Sequence, residues 1–179
     1  MREIVFAGFG GQGILTAGVV VSQIVLYKGW TASWLPSYGP AMRGGTANCT
    51  VKYDENYIYA PGMIAPDLLL AMNTPSFQKF QGAIKPGGIL LTNKDLVELK
   101  DVRDDITVLE VPCMSIAEEL KNPKAANIVM VGAIAKALGD FTMQEAIDGM
   151  NDMFRKKGKA KFEAMNTAAL ERGYMYLDK

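Results

Sequence analysis

A chain of 179 residues, with 49% hydrophobic and 21% charged side chains, is long enough to bury a sizeable core and too apolar to stay disordered. Lys and Arg balance Asp and Glu at 19 each, so the molecule as a whole has no electrostatic basis for binding nucleic acid. With no histidine, Ser-His-Asp and Cys-His catalysis and every His-containing metal site drop out.

The first predicted element is a buried strand over 3–7, running into GFGGQG and then into a helix over 12–28. The N-terminus shows no basic region, apolar stretch or small-residue cleavage site, which predicts a cytoplasmic protein. The apolar run from Ile14 to Tyr27 is too short and too polar to span a bilayer, so no membrane partner is expected. From Ile4 to Tyr53 there is no acidic residue, while Lys28, Arg43 and Lys52 fall within the stretch, which predicts a locally cationic N-terminal third.

A strand over 30–35 follows, then the loop WLPSYGPAMRGGTAN at 34–48, a strand over 46–53, a short strand over 56–59 and a strand over 67–72. Asp-Glu-Asn between the 46–53 and 56–59 segments predicts a hairpin there. Thr74-Pro75 reads as the N-cap and first position of a helix to about 81, KPGG at 85–88 as a turn, and ILLT at 89–92 as a strand. After the charged loop 94–105 come a strand over 106–111 and a short helix from Ser115 to Leu120, stopped at Asn122-Pro123. A buried helix from Ala125 to Leu138, ended by Gly139, precedes two amphipathic helices, the first carrying Met143, Ala146, Ile147, Met150 and Phe154 as core contacts.

Strands alternating with helices, several of them apolar throughout, predict an α/β fold. The expected form is a three-layer α/β/α sandwich with a mixed, mostly parallel sheet, as one domain over 1–179. Cys49 and Cys113 are expected as small buried thiols without a disulfide; lacking C-x-x-C spacing, they cannot alone supply the four thiolates of an iron–sulfur cluster.

Gly8, Gly10 and Gly13 satisfy G-x-G-x-x-G, the turn that brings a phosphate or carboxylate to a helix N-terminus. A free-standing NAD(P)-binding Rossmann-like oxidoreductase is the alternative this raises. Such an enzyme needs an acid at the tip of the second strand to hold the ribose, and TASWLPSY has none. The 34–48 loop, shaped by two prolines and three glycines, should share the carboxyl edge of the sheet with the glycine loop. That placement makes Arg43 an anion clamp.

Together GFGGQGILTAG and WLPSYGPAMRGGTANC resemble the γ subunit of the 2-oxoacid:ferredoxin oxidoreductases, with further matches in PDLLLAMN at 66–73, KPGGILL at 85–91 and ANIVMVGA at 126–133. The resemblance runs from about residue 3 to the end of the chain. It implies oxidative decarboxylation of a 2-oxoacid with coenzyme A to acyl-CoA, carbon dioxide and reduced ferredoxin. It also implies thiamine diphosphate with Mg between α-type and β-type partner subunits, and iron–sulfur clusters in β-type or δ-type ones.

On this resemblance the chain binds none of these cofactors alone, contributes no catalytic residue and has no activity by itself. The site residues carried over are Gly8, Gly10, Gly11, Gln12 and Gly13 on the glycine loop, Ser37, Tyr38, Gly39, Arg43, Gly44 and Gly45 on the second loop, and Asn127 at the start of the late buried helix. These loops are expected to face the partner subunits and to line the coenzyme A channel. Ala41-Met42 stand where related sequences often carry an acid before the arginine, a departure that bears on which subunit pairs with Arg43. Branched-chain 2-oxoacids or 2-oxoglutarate are expected ahead of pyruvate.

Two features stay open to competing readings. The basic run Arg155, Lys156, Lys157, Lys159 and Lys161 is read first as a solvated helix junction and second as a dock for an acidic ferredoxin or nucleic acid. Trp30, Trp34 and Tyr38 are read as core or as part of a subunit interface.

Overall fold

A computed structural model describes residues 1–38 and 46–178, without the side chain of Tyr38. Six strands form one sheet in the order β2-β3-β1-β4-β5-β6, with β1 at Arg2–Phe9, β2 at Thr31–Tyr38, β3 at Thr46–Asp54, β4 at Leu68–Ala71, β5 at Ile89–Asn93 and β6 at Thr107–Val111. β1, β4, β5 and β6 run parallel, whereas β3 is antiparallel to both β1 and β2. The mixed sheet is as expected.

Alternation along the central strands divides the core in two. Ile4, Phe6, Leu68 and Leu70 face one apolar cluster, and Val5, Ala7, Leu69 and Ala71 face another. A strand buried on both faces has no polar side to show, which is why IVFA and LLLA read as continuous apolar runs. The first face is covered by α1 (Ile14–Tyr27), α3 (Cys113–Glu119), α4 (Ala126–Leu138), α5 (Met143–Lys156) and α6 (Glu163–Tyr176). On the second lie α2 (Thr74–Phe80), through Phe77 and Phe80, and the two segments bearing Ile84 and Val97. The three layers follow from these two coverings.

Two local expectations are corrected. There is no strand at 56–59: Asn56 N–H folds back on the Asp54 carboxylate at 3.0 Å, and Tyr57 and Tyr59 are exposed. The hairpin partner of β3 is β2, in register from Thr31 opposite Asp54 to Tyr38 opposite Ala47. Aromatic enrichment in NYIY imitated a strand, but β3 already has a partner on each side. The N-cap of α2 is Asn73, one residue before the expected Thr74; its extended backbone lets Asn73 Oδ1 accept from Ser76 N–H at 2.9 Å.

The N-terminal third is less cationic than the stretch from Ile4 to Tyr53 implies, because acids outside that stretch reach it. Lys28 pairs with Glu145 at 3.3 Å, and buried Lys52 pairs with Glu3 at 3.3 Å. Trp30 stacks on Tyr53 and meets Phe141 at a tilt, and Trp34 also packs against the first core, both tryptophans remaining partly exposed. The methionine-rich face of α5 is core as expected, with Ala146, Ile147, Met150 and Met153 buried. Its N-terminus is a capping box between Thr142 and Glu145. No described helix is long and apolar enough to cross a membrane.

Candidate functional site

The carboxyl ends of β1, β4 and β5 lie along one edge of the sheet. Phe9 at the end of β1 stands opposite Thr46, where β3 enters, and Tyr38 at the end of β2 stands opposite Ala47. The glycine loop and both flanks of the 34–48 loop therefore meet at the same edge. Gly39, Arg43, Gly44 and Gly45 lie outside the described residues, as does the side chain of Tyr38.

The glycine loop is a tight strand-to-helix turn. Gln12 N–H donates to Phe9 C=O at 3.2 Å, and Gly11 and Gly13 take φ of 95° and 73°, a left-handed backbone that a side chain would strain. Gly13 is also the N-cap of α1 and uses no side chain to satisfy that helix's first N–H groups. A Cβ on Gly13 would fall 2.5 Å from Asn127 Nδ2, and one on Gly8 would fall 2.7 Å from Gln12 Oε1. Gly10 is exposed at the tip of the turn.

Side chains from two other elements hold the turn in place. Gln12 Oε1 accepts from Phe9 N–H at 2.7 Å and from Asn73 Nδ2 at 3.1 Å, while Gln12 Nε2 donates to Met72 C=O at 3.2 Å. Asn127 Nδ2 donates to Gly13 C=O at 3.2 Å from the first turn of α4. Between the turn and that helix opens a cleft of about 430 Å³, lined by Gly11, Gln12, Gly13, Asn127, Lys124 and Met72, with Leu96 and Met114 at its apolar rim. The cleft thus combines glycine-loop backbone, the Lys124 cation and an apolar wall.

Of the residues anticipated for this site, the structure brings Gly11, Gln12, Gly13 and Asn127 into one cleft, with Gly8 packed behind them. Ser37 is elsewhere. It lines a separate groove of about 410 Å³ on the second face with Leu35, Asn48, Thr50, Met63 and Lys79. Asn73, Met72, Leu96, Met114 and Lys124 were not anticipated. Asn73 stood at the end of PDLLLAMN, where the neighbouring Thr-Pro drew the capping role to itself, and Lys124 carries no motif that marks it.

Asp95 closes the α3 side of the edge: its carboxylate accepts from Met114 N–H at 2.8 Å, Ser115 N–H at 3.1 Å and Ser115 Oγ at 2.6 Å. Cys113 opens α3, a position that ordinarily favours a thiolate, yet burial and then the Asp95 carboxylate push it up to about 12. Burial likewise pushes Cys49 up to about 12. Both thiols are free and buried, as expected. In the basic run, Arg155 forks onto Glu163 at 2.7 and 2.8 Å and Lys156 pairs with Asp152 at 2.6 Å, which favours the solvated-junction reading.

The topology disfavours a dinucleotide site. β3 lies between β1 and β2, so the strand that follows α1 is not the neighbour of β1, and one strand separates its tip from the glycine turn. The fold and cleft define instead an α/β unit with a glycine turn exposed on one sheet edge. Residues 3–176 match the model of the pyruvate ferredoxin/flavodoxin oxidoreductase family, and the chain belongs to that family.

It is 35% identical over 176 residues to the 2-oxoglutarate synthase subunit KorC of Methanocaldococcus jannaschii, covering 97% of this chain and 92% of the relative. The ketoisovalerate oxidoreductase subunit VorA of Methanothermobacter marburgensis is 35% identical over 171 residues; the match covers 96% of this chain but only 35% of that longer relative. Among solved structures, the keto/oxoacid ferredoxin oxidoreductase gamma subunit from Geobacter sulfurreducens superposes with a TM-score of 0.80 at 28% identity, covering 97% of this chain and 96% of the other. The expectation of a 2-oxoacid:ferredoxin oxidoreductase gamma-type chain stands.

Proposed function

We propose that this chain is the γ subunit of a thiamine-diphosphate-dependent enzyme that converts a 2-oxoacid and coenzyme A to acyl-CoA, carbon dioxide and reduced ferredoxin. Its glycine-loop cleft lines the coenzyme A channel against α-type and β-type partners. The observation that carries this reading is the cleft itself: Gly11–Gly13 backbone, Lys124 and Asn127 stand beside the apolar side chains of Met72, Leu96 and Met114. The N-terminus of α1 behind Gly13 and the Lys124 cation suit phosphate, and the apolar wall suits a pantetheine-like arm.

The donor set does not fit the redox cofactors. Two buried thiols cannot ligate a cluster, and no group of three or more Cys, Asp or Glu able to hold a metal ion occurs among the described residues. On the family resemblance, thiamine diphosphate, Mg and the iron–sulfur clusters belong to partner subunits in this reading, with ferredoxin reached through the complex. The relatives' names support 2-oxoglutarate or a branched-chain 2-oxoacid as substrate.

Purification of the tagged chain from its native host under anaerobic conditions tests the assignment. The eluate is assayed for 2-oxoacid- and coenzyme-A-dependent reduction of a low-potential dye. Activity co-purifying with larger thiamine-binding chains supports it, and the preferred acid names the substrate; a chain that elutes alone and inactive refutes it. In the active complex, Arg43→Ala is expected to raise the apparent KM for coenzyme A; unchanged kinetics and assembly would remove Arg43 from the site.

A further inference from the structure

We propose that Asn73 is a positioning residue for the glycine loop and acts through Gln12. The inference rests on the reading of that loop as the wall of the coenzyme A channel. Phe9 offers the Gln12 side chain an N–H at 2.7 Å and Met72 offers it a C=O at 3.2 Å. Backbone groups have one polarity each, so these two contacts settle which end of the Gln12 amide is oxygen. Asn73 is fixed in the same way: Ser76 N–H at 2.9 Å requires its oxygen, which leaves its NH₂ to donate to Gln12 Oε1 at 3.1 Å.

The two amides form one oriented chain from the N-cap of α2 to the glycine turn. Asn73 is 3% exposed, and Met72 N–H binds Ala7 C=O at 2.9 Å, so the anchor belongs to the most buried part of the sheet. Gly11 and Gly13 have no side chains with which to hold the turn. Gln12 from within it and Asn127 across the cleft supply the side-chain hydrogen bonds that do. Gly8 leaves the space Gln12 needs, since a Cβ there would meet Gln12 Oε1.

Asn73→Asp separates positioning from capping. Aspartate caps a helix as well as asparagine does, so α2 keeps its N-terminus. The carboxylate, however, turns an acceptor toward Gln12 Oε1, and rotating the Gln12 amide to escape would misalign it with both Phe9 and Met72.

The test uses the assembled enzyme. In amide hydrogen exchange without ligand, Asn73→Asp is expected to speed exchange over residues 9–13 roughly tenfold, the scale of one lost hydrogen bond. Exchange in α2 should stay unchanged. The apparent KM for coenzyme A should rise by a similar factor with kcat nearly constant, and Asn73→Asp should add nothing in a Gln12→Met background. Unchanged loop exchange, equal acceleration in α2, or independent effects of the two substitutions would overturn the proposal. Faster loop exchange with an unaltered KM would uphold the positioning role and instead refute the coenzyme A assignment.

Discussion

Glu145 shows how one side chain ties local sequence to a condition-dependent property. It completes the capping box of α5, its carboxylate accepting from Thr142 N–H at 2.8 Å, and it lies 3.3 Å from Lys28. The Thr142 hydrogen bonds, then Lys28, hold it below the ordinary glutamate value. A depressed carboxylate contributes stability that is present above that ordinary value and is lost as pH falls through its folded pKa. Glu145→Gln is therefore expected to cost about 0.5 kcal/mol at pH 7, the size of an exposed helix-terminal charge. It should also make the Tm less sensitive to acidification from pH 6 to pH 3; wild-type and variant Tm curves that run parallel would refute this. The capping pair Thr142 and Glu145 is written three residues apart in the sequence, whereas Lys28 joins it only through the packing of α1 on α5.

At the scale of elements, the closest approach between helices depends on two glycines that carry no local signal. A Cβ on Gly132 of α4 would lie 2.0 Å from Leu170 C=O of α6, and one on Gly173 of α6 would lie 1.8 Å from Val129 C=O of α4. The two backbones touch, and neither can yield as a flexible side chain does. Gly132→Ala or Gly173→Ala should cost about 2 kcal/mol net, overpacking less the helix preference of Ala over Gly. That corresponds to roughly 4–8 °C in Tm for a chain of this size. Gly82→Ala, where an added Cβ meets nothing within 4 Å, is the control and should stay within about 0.5 kcal/mol. Thermal unfolding followed by circular dichroism decides, and an unchanged Tm for Gly132→Ala would show that the helix pair is more loosely packed than described. Helix periodicity located α4 but contains nothing about which partner faces Gly132, because that partner lies some 40 residues away on α6.

For the molecule as a whole, the two thiols serve as a reporter of global opening. Cys49 lies under α1 against Trp34 and Gly18, and Cys113, the first residue of α3, points into the first core. With both held at about 12, roughly one thiolate in 10⁴ exists at pH 8, and neither sulfur is accessible. A thiol reagent at pH 8 is expected to label neither cysteine in the native protein within the time that labels both in denaturant. Rapid native labelling of Cys113 alone would mean that α3 opens independently of the sheet.

Sequence by itself determined what short-range chemistry decides. The glycine turn before α1, the apolar strands and the Gly139 stop each depend on neighbours within a few residues, and the paired glycine motifs carried the family resemblance. Tertiary structure alone decided that β3 pairs with β2 and β1 and not with NYIY, that Glu3 neutralises Lys52, that Ser37 belongs to a different groove from Gly13, and that Asn73 reaches Gln12. Each of these joins residues separated by a crossover or a loop. Their energies depend on strand order and helix docking, which no local window contains.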